Sequence, residues 1–347
     1  MKFQNRVFYE ITHQCNLHCT HCCNSTRFDK ELITADDIDR FQKLAASYGI
    51  TDCVITGGEP TMSDNFFEIV SKVSKYGNVV VTTNGTNLDP KKYMQILQAN
   101  PNITLQISLD GFSCESNDLI RGNGTFNLIT KLITFLVEKG FQNQVALSCV
   151  ITSKNIHEIF SLISYVKEKN LNGIHFPKLI SSGRGQENWE KIAPQCDEQK
   201  QVEYEIINQM SKESEDYISL NRINHILSAY LGVVDDFECI SALKVSPNGS
   251  IFPCPLSMGE ENCIGNIKSL YSFDELVWNM ERKKNNQFSK EYIELNCNDC
   301  EASPYCKKNF CEFCKFNLAS SNLNNSEQQY QCEINRFLFL KLAEGEK

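Results

Sequence analysis

The sequence predicts an α/β fold: a partial (β/α)6 barrel of the TIM type, followed by a small Cys-rich domain and a C-terminal helix. Three observations carry that prediction. Six short apolar strands alternate with amphipathic helices over residues 1–180, which calls for a parallel sheet with its helices packed outside. The turn residues able to carry chemistry all follow the C-terminal ends of those strands, on one rim. From Cys239 onward the strand–helix rhythm gives way to closely spaced cysteines.

Val7 to Thr12 reads as the first strand, and the loop after it holds Cys15, Cys19 and Cys22. Thr34 opens an amphipathic helix with Asp36 and Asp37 in its first turn and Ile38, Phe41, Leu44 and Ala45 on one face. Strands at Cys53–Thr56, Val79–Thr83, Ile103–Leu109, Val145–Ile151 and Gly173–Lys178 alternate with helices at Phe66–Tyr76, Lys91–Asn100, Phe126–Lys139 and Ile156–Lys169. The run Ser181-Ser182-Gly183-Arg184-Gly185 breaks the rhythm, and Glu198 to Ser211 reads as a charged helix within a connector, residues 181–238. Residues 239–347 form the Cys-rich domain. Its last stretch, Ile334–Ala343, is an apolar helix that must dock on the body, because an exposed Phe337-Leu338-Phe339-Leu340 run would be sticky.

Composition narrows the function classes. A formal charge of −9 argues against a general nucleic-acid or anionic-membrane binder, since either needs a basic face. Neither a signal peptide nor an apolar run of membrane-spanning length is present, which places the protein in the cytoplasm. Seventeen cysteines in a reducing compartment point to metal or cluster ligation rather than disulfides.

Cys15, Cys19 and Cys22 are spaced C-x3-C-x2-C. Three thiolates so spaced can hold three irons of a cubane and leave the fourth iron open to a small-molecule ligand. The competing reading is a zinc knuckle, with His13, His18 or His21 as fourth ligand. A second motif, Gly57-Gly58-Glu59, follows the next strand; alone it is only a tight turn.

In this order the two motifs resemble those of the radical S-adenosylmethionine (SAM) superfamily. The resemblance implies a [4Fe-4S] cluster on Cys15, Cys19 and Cys22 whose open iron binds SAM. Reductive cleavage of SAM would then give a 5'-deoxyadenosyl radical that takes hydrogen from a substrate. It also implies that Gly57, Gly58 and Glu59 line the groove for the methionine end of SAM. Ser108 and Asp110, in Ile107-Ser108-Leu109-Asp110-Gly111, would reach its ribose or carboxylate, and His21 would lie near the adenine. Asn84, in Thr83-Asn84-Gly85, is a further candidate, although that triplet also fits a plain turn, and Arg121 also fits an ordinary surface charge.

The later cysteines resemble the SPASM extension, which holds two auxiliary [4Fe-4S] clusters. By that resemblance Cys297, Cys300, Cys306 and Cys332 hold the outer cluster. Cys239 and Cys254, the latter in Gly249-x4-Cys254, hold the inner one with Cys311 or Cys314. The spacing departs from the family pattern after Cys306, so the fourth inner ligand is open between these and Cys263, or is left to substrate. Zinc is the competing reading here too. Cys23, Cys53, Cys114, Cys149 and Cys196 fit no ligand pattern; Cys23 is also a candidate hydrogen donor.

SPASM enzymes act mainly on ribosomally made peptides. The resemblance thus implies a peptide maturase that installs a thioether or carbon–carbon crosslink or an epimerisation, served by an electron donor such as flavodoxin or ferredoxin. The first strand begins within about seven residues, so no leader-binding module is expected before it; a separate leader-binding protein, or a short leader recognised by the barrel itself, is expected instead. The alternative is a sulfatase-type maturase oxidising a protein Ser or Cys. Against it, Pro255 stands where that type carries a catalytic Asp, leaving Asp235, Asp236 or Glu260 as substitutes. A zinc-binding interaction module is the non-enzyme alternative.

Overall fold

A computed structural model of the chain describes residues 3–24, 32–213, 218–220, 241–255, 260–284, 300–301 and 325–344. Strands β1 (Phe3–Glu10), β2 (Asp52–Thr56), β3 (Val79–Thr83), β4 (Ile103–Ser108), β5 (Val145–Ser148) and β6 (Gly173–Phe176) pair in chain order, all parallel. The sheet is open, and it continues past both ends of the expected six. β7 (Ile218–Leu220) joins β6 in parallel. On the other side β8 (Ser241–Val245) lies parallel to β1, with β9 (Ser250–Phe252) and β10 (Gly265–Asn266) antiparallel beyond it. β1 therefore has a partner on each edge, and strands from residues 218–220 and 241–266 share one sheet with the barrel.

Alternation gives the sheet two unlike faces. Val79, Val81, Leu105 and Ile107 are buried toward the helices, where Ile107 and Leu132 of α5 (Thr125–Glu138) both crowd Gly85. The opposite face carries Thr82, Gln106 and Ser108, half-buried, with Thr82 Oγ1 donating to Gln106 Oε1 across the strands at 3.1 Å. The concave side of the sheet is thus polar where these strands end. That suits a surface meant to hold a ligand rather than a closed apolar core.

Helix starts follow from their caps. Thr34 caps α1 (Ala35–Ala46) in a reciprocal capping box with Asp37, and Asp89 caps α3 (Pro90–Ala99), whose first residue is proline. α2 (Phe66–Val73) and α6 (Ile159–Glu168) stand where apolar periodicity put them. α4 (Cys114–Arg121) was not foreseen: its sequence CESNDLIR has too few apolar residues to make a stripe, and it exists because Ser113 caps it. The last helix, Asn325–Glu344, is longer than the expected 334–343 and docks on α9 (Cys196–Glu213). Leu338 and Phe339 are buried, Phe337 meets Tyr204 edge-on, and Tyr330 Oη donates to Gln199 Oε1 and to Pro194 O at 3.1 Å.

Candidate functional site

β1 and β2 stay joined beyond their ends, and this builds the first wall of the site. Ile11 N–H donates to Thr56 O at 3.0 Å, Gly58 N–H to Thr12 O at 2.7 Å and Glu59 N–H to Gln14 O at 2.7 Å. The Gly57–Gly58 turn therefore lies flat against the start of the cysteine loop. A Cβ at position 57 would stand 2.2 Å from Thr12 O, and one at 58 would stand 2.2 Å from Gln14 O; Gly57 also has φ +144°. Only glycine allows backbones this close. Asn24, just after the loop, returns the contact by donating to Gly57 O at 3.3 Å.

Glu59 fixes the next loop. Its side chain is buried, and Oε1 accepts from Thr61 N (3.2 Å), Thr61 Oγ1 (2.6 Å) and Thr83 Oγ1 (2.8 Å) while Oε2 accepts from Asn84 N (2.7 Å). Burial raises its pKa above the ordinary carboxylate value even though all these donors pull it down. With its backbone held this way, Asn84 donates to Asn16 Oδ1 at 2.8 Å and reaches Cys15 Sγ at 3.9 Å. The second motif and the turn after β3 thus act together on the first cysteine, which also accepts the Leu17 N–H at 3.4 Å.

The loop after β4 supplies a buried charged group. Asp110 is fully buried; Oδ2 lies 2.6 Å from Arg121 Nε and 3.5 Å from His21 Nε2, and Oδ1 accepts Val150 N–H at 2.7 Å. Asn117 and Asn155 hold its backbone, at 3.0 and 2.7 Å. Arg121 is therefore not the surface charge that its position allowed: α4 carries it inward, where its Nε lies 2.6 Å from Asp110 Oδ2. Burial lowers the His21 pKa, with Asp110 opposing and Arg121 and Arg184 reinforcing, so the imidazole is held neutral. Ser108 ends β4 half-buried, two residues before Asp110, and is joined to the group only through the backbone.

The far side of the cysteine loop is braced by residues that sequence reasoning passed over. α7 (Arg184–Glu187) begins directly after Gly183, and Arg184 Nε donates to Cys19 O at 2.9 Å, Gly185 N–H to Cys22 O at 3.1 Å and Asn188 Nδ2 to Thr20 O at 3.3 Å. The signal was the arginine between two glycines where the strand–helix rhythm breaks.

The three cysteines suit the group expected of them. Cys15 and Cys22 each push the Cys19 thiol further up, so the three lie within electrostatic reach of one another, and burial is the main cause that takes Cys19 to about 11. Burial also raises Cys15. A thiol this reluctant to ionise in isolation is deprotonated by coordination. No three His, Cys, Asp or Glu side chains among the described residues converge on one point, as a single ion would require. Cys23 sits beside Glu10 and Lys244 with its pKa raised by burial to about 12.

Of the later cysteines, Cys239, Cys297, Cys306, Cys311 and Cys314 lie outside the described residues, as do Asp235 and Asp236. Cys254 is buried after β9 and Cys263 is half-buried before β10. β9 and β10 pair with Ile251 opposite Gly265, so Cys254 and Cys263 each lie two residues or fewer outside the same antiparallel pair. Arg336 Nη2 reaches Glu301 Oε2 at 3.4 Å, which links the residue after Cys300 to the last helix, where Cys332 stands one turn before Arg336.

Residues 9–166 match the radical SAM superfamily. The chain is 28% identical over 314 residues to mycofactocin maturase MftC of Mycobacterium tuberculosis, covering 86% of this chain and 76% of that protein. It is 28% identical over 329 residues to the antilisterial bacteriocin subtilosin biosynthesis protein AlbA of Bacillus subtilis, covering 88% and 70%. The fold is that of Streptococcus suis SuiB, solved with bound S-adenosylmethionine, at TM-score 0.69 and 18% identity over 92% of this chain and 75% of that one. SuiB has also been solved with its precursor peptide SuiA, at TM-score 0.60 and 18% identity over 76% and 63%. No helix among the described residues is long and apolar enough to cross a membrane.

Proposed function

We propose that the chain, whose residues 9–166 match the radical SAM superfamily, is a maturase of a ribosomally made precursor peptide. The observation that carries this reading is the likeness to MftC across 86% of the chain, seconded by AlbA. The family implies a [4Fe-4S] cluster and SAM, which when bound supply one-electron reduction and hydrogen-atom abstraction.

The chain's own residues then have definable work. Cys15, Cys19 and Cys22 hold the cluster; Asn84, positioned by Glu59, orients Cys15; Gly57 and Gly58 keep the neighbouring backbone close. Asp110, with Arg121 and His21, gives the rim a dry, charge-balanced wall, and Thr82, Gln106 and Ser108 line the polar concave face along which a peptide is held. The precursor peptide enters over this face. An electron donor such as flavodoxin or ferredoxin, and a separate leader-binding protein, complete the system.

Residues 1–180 are the barrel, 181–238 the connector and 239–347 the auxiliary-cluster domain. Cys297, Cys300, Cys306 and Cys332 hold one auxiliary cluster; the Glu301–Arg336 contact, which links the residue after Cys300 to the helix that carries Cys332, supports that pairing. Cys239, Cys254 and Cys311 or Cys314 hold the other. The β9–β10 register supports Cys263 as its further ligand.

The test is anaerobic reconstitution followed by iron and sulfide counts, then addition of SAM, dithionite and a candidate precursor peptide. About twelve irons per chain, 5'-deoxyadenosine and a mass change in the peptide are expected. Cys15→Ala/Cys19→Ala/Cys22→Ala should lose about four irons and all deoxyadenosine. Zinc in place of iron, with SAM left intact, would overturn the reading.

A further inference from the structure

The strap Ser182–Asn188 lies across the carbonyl side of the cysteine loop, from a part of the chain far removed in sequence. Three bonds tie it down: Arg184 Nε to Cys19 O at 2.9 Å, Gly185 N–H to Cys22 O at 3.1 Å and Asn188 Nδ2 to Thr20 O at 3.3 Å. The strap has no room to stand off. A Cβ at Gly183 would meet the carbonyl oxygens of Cys22 and Cys23 at 3.0 Å, and one at Gly185 would stand 2.6 Å from Ile180 O and 3.0 Å from His21 O. Gly183 also has φ +53°, so glycine is required there on conformational grounds as well.

Both glycines serve to bring one side chain into place. Arg184 is the charged residue of the strap whose side chain is bonded to the loop, through Nε to Cys19 O at 2.9 Å. The other guanidinium here, Arg121, is balanced by Asp110 at 2.6 Å. Among the described residues no carboxylate forms an ion pair with Arg184, and its Nε is held on Cys19 O.

We propose that Arg184 is a positioning residue that holds its positive charge against the backbone of Cys19, within the loop that carries Cys15, Cys19 and Cys22, and thereby sets how readily the cluster they hold accepts an electron. The inference rests on those three cysteines being the ligands. The step it concerns is one-electron reduction of the cluster by an external reductant, with no bond made or broken in Arg184. A fixed positive charge stabilises the more negative, reduced form. Because Arg184 bonds a ligand's own carbonyl, it also fixes the distance at which that charge acts.

The experiment is an EPR-monitored redox titration of the reconstituted full chain without SAM or peptide. The relevant signal is identified as the one missing from Cys15→Ala/Cys19→Ala/Cys22→Ala, in which only the auxiliary clusters' signals remain; a variant that loses no signal refutes the ligand assignment separately. Arg184→Gln should make reduction about tenfold less favourable, a midpoint more negative by about 59 mV for one electron. Arg184→Lys, which keeps the charge, should return it to within about twofold, or ~18 mV. Equal midpoints for wild type and Arg184→Gln overturn the proposal. So does an equal shift in Arg184→Gln and Arg184→Lys, which would mark Arg184 as a brace only. If Arg184→Gln fails to retain the cluster, the lysine variant decides alone: a midpoint close to wild type supports the proposal and a tenfold loss overturns it.

Discussion

Replacing Gly58 by alanine separates close approach from backbone conformation as the reason for glycine in the cradle. The new Cβ would stand 2.2 Å from Gln14 O, 2.6 Å from Gln14 C and 2.7 Å from His13 O. All three atoms are backbone, so no rotamer relieves the clash, and the turn must retreat by most of an ångström. That retreat stretches two bonds now at 2.7 Å, Gly58 N–Thr12 O and Glu59 N–Gln14 O. Two such bonds at ~1 kcal/mol each, with ~1–3 kcal/mol of overpacking strain, predict a loss of about 3–5 kcal/mol. Gly140 is the contrast: its φ is +83° and nothing lies within 4 Å of its Cβ position, so Gly140→Ala costs only the ~1–2 kcal/mol of left-handed backbone. Urea midpoints of the metal-free proteins measure both. If Gly58→Ala proves no more costly than Gly140→Ala, the two loops are not held as rigidly as the distances imply, and the reasoning fails.

Three further outcomes are expected. Glu59→Gln keeps an oxygen for the donors at Oε1 but turns an amide N–H₂ toward Asn84 N–H, costing about 1–3 kcal/mol and lowering iron retention at Cys15; unchanged melting and iron content would refute the role given to Asn84. Asp110→Asn leaves Arg121 buried without its counter-charge and should cost about 3–5 kcal/mol; adding Arg121→Met should recover part of this, and strict additivity in thermal melts would show that the pair is not coupled. Burial pushes Asp37 up, but Thr34's N–H and hydroxyl and Arg40 outweigh it and hold the carboxyl below its ordinary value. Its stabilising contribution is therefore present above the unfolded pKa and is lost as pH falls through the lowered folded value. Thr34→Ala should cost about 1 kcal/mol at neutral pH, with the gap narrowing only below about pH 4; a constant gap down to pH 3 would contradict this.

What the sequence revealed of this architecture was whatever repeats at short range. Strands β1 to β6 and the large helices could be read because apolar periodicity and caps such as Thr34 and Asp89 are local signals. The cysteine loop and Gly57-Gly58-Glu59 were visible as spacings, but not the fact that they touch through backbone. α4 escaped because one serine cap, rather than an apolar stripe, sustains it, and with α4 went the inward turn of Arg121. Arg184 escaped for the opposite reason. Its partner, Cys19 O, is 165 positions away, and a main-chain acceptor leaves no trace in a side-chain pattern. β7 and β8 are short strands whose membership of the sheet depends on which edges are vacant, a property of the assembled fold.

The placement of β1 between β2 and β8 bears on how the protein is made. During synthesis Asp52–Thr56 emerges soon after β1, but the partner for its other edge exists only once the chain has been extended past Val245. Until then a nascent chain carries a bare strand edge right beside the cysteine loop, open to pairing with a neighbouring nascent chain. Loading of iron and sulfide before Val245 is translated would therefore take place on a half-finished scaffold. The order of translation and metallation thus follows from where the second partner of β1 lies in the chain.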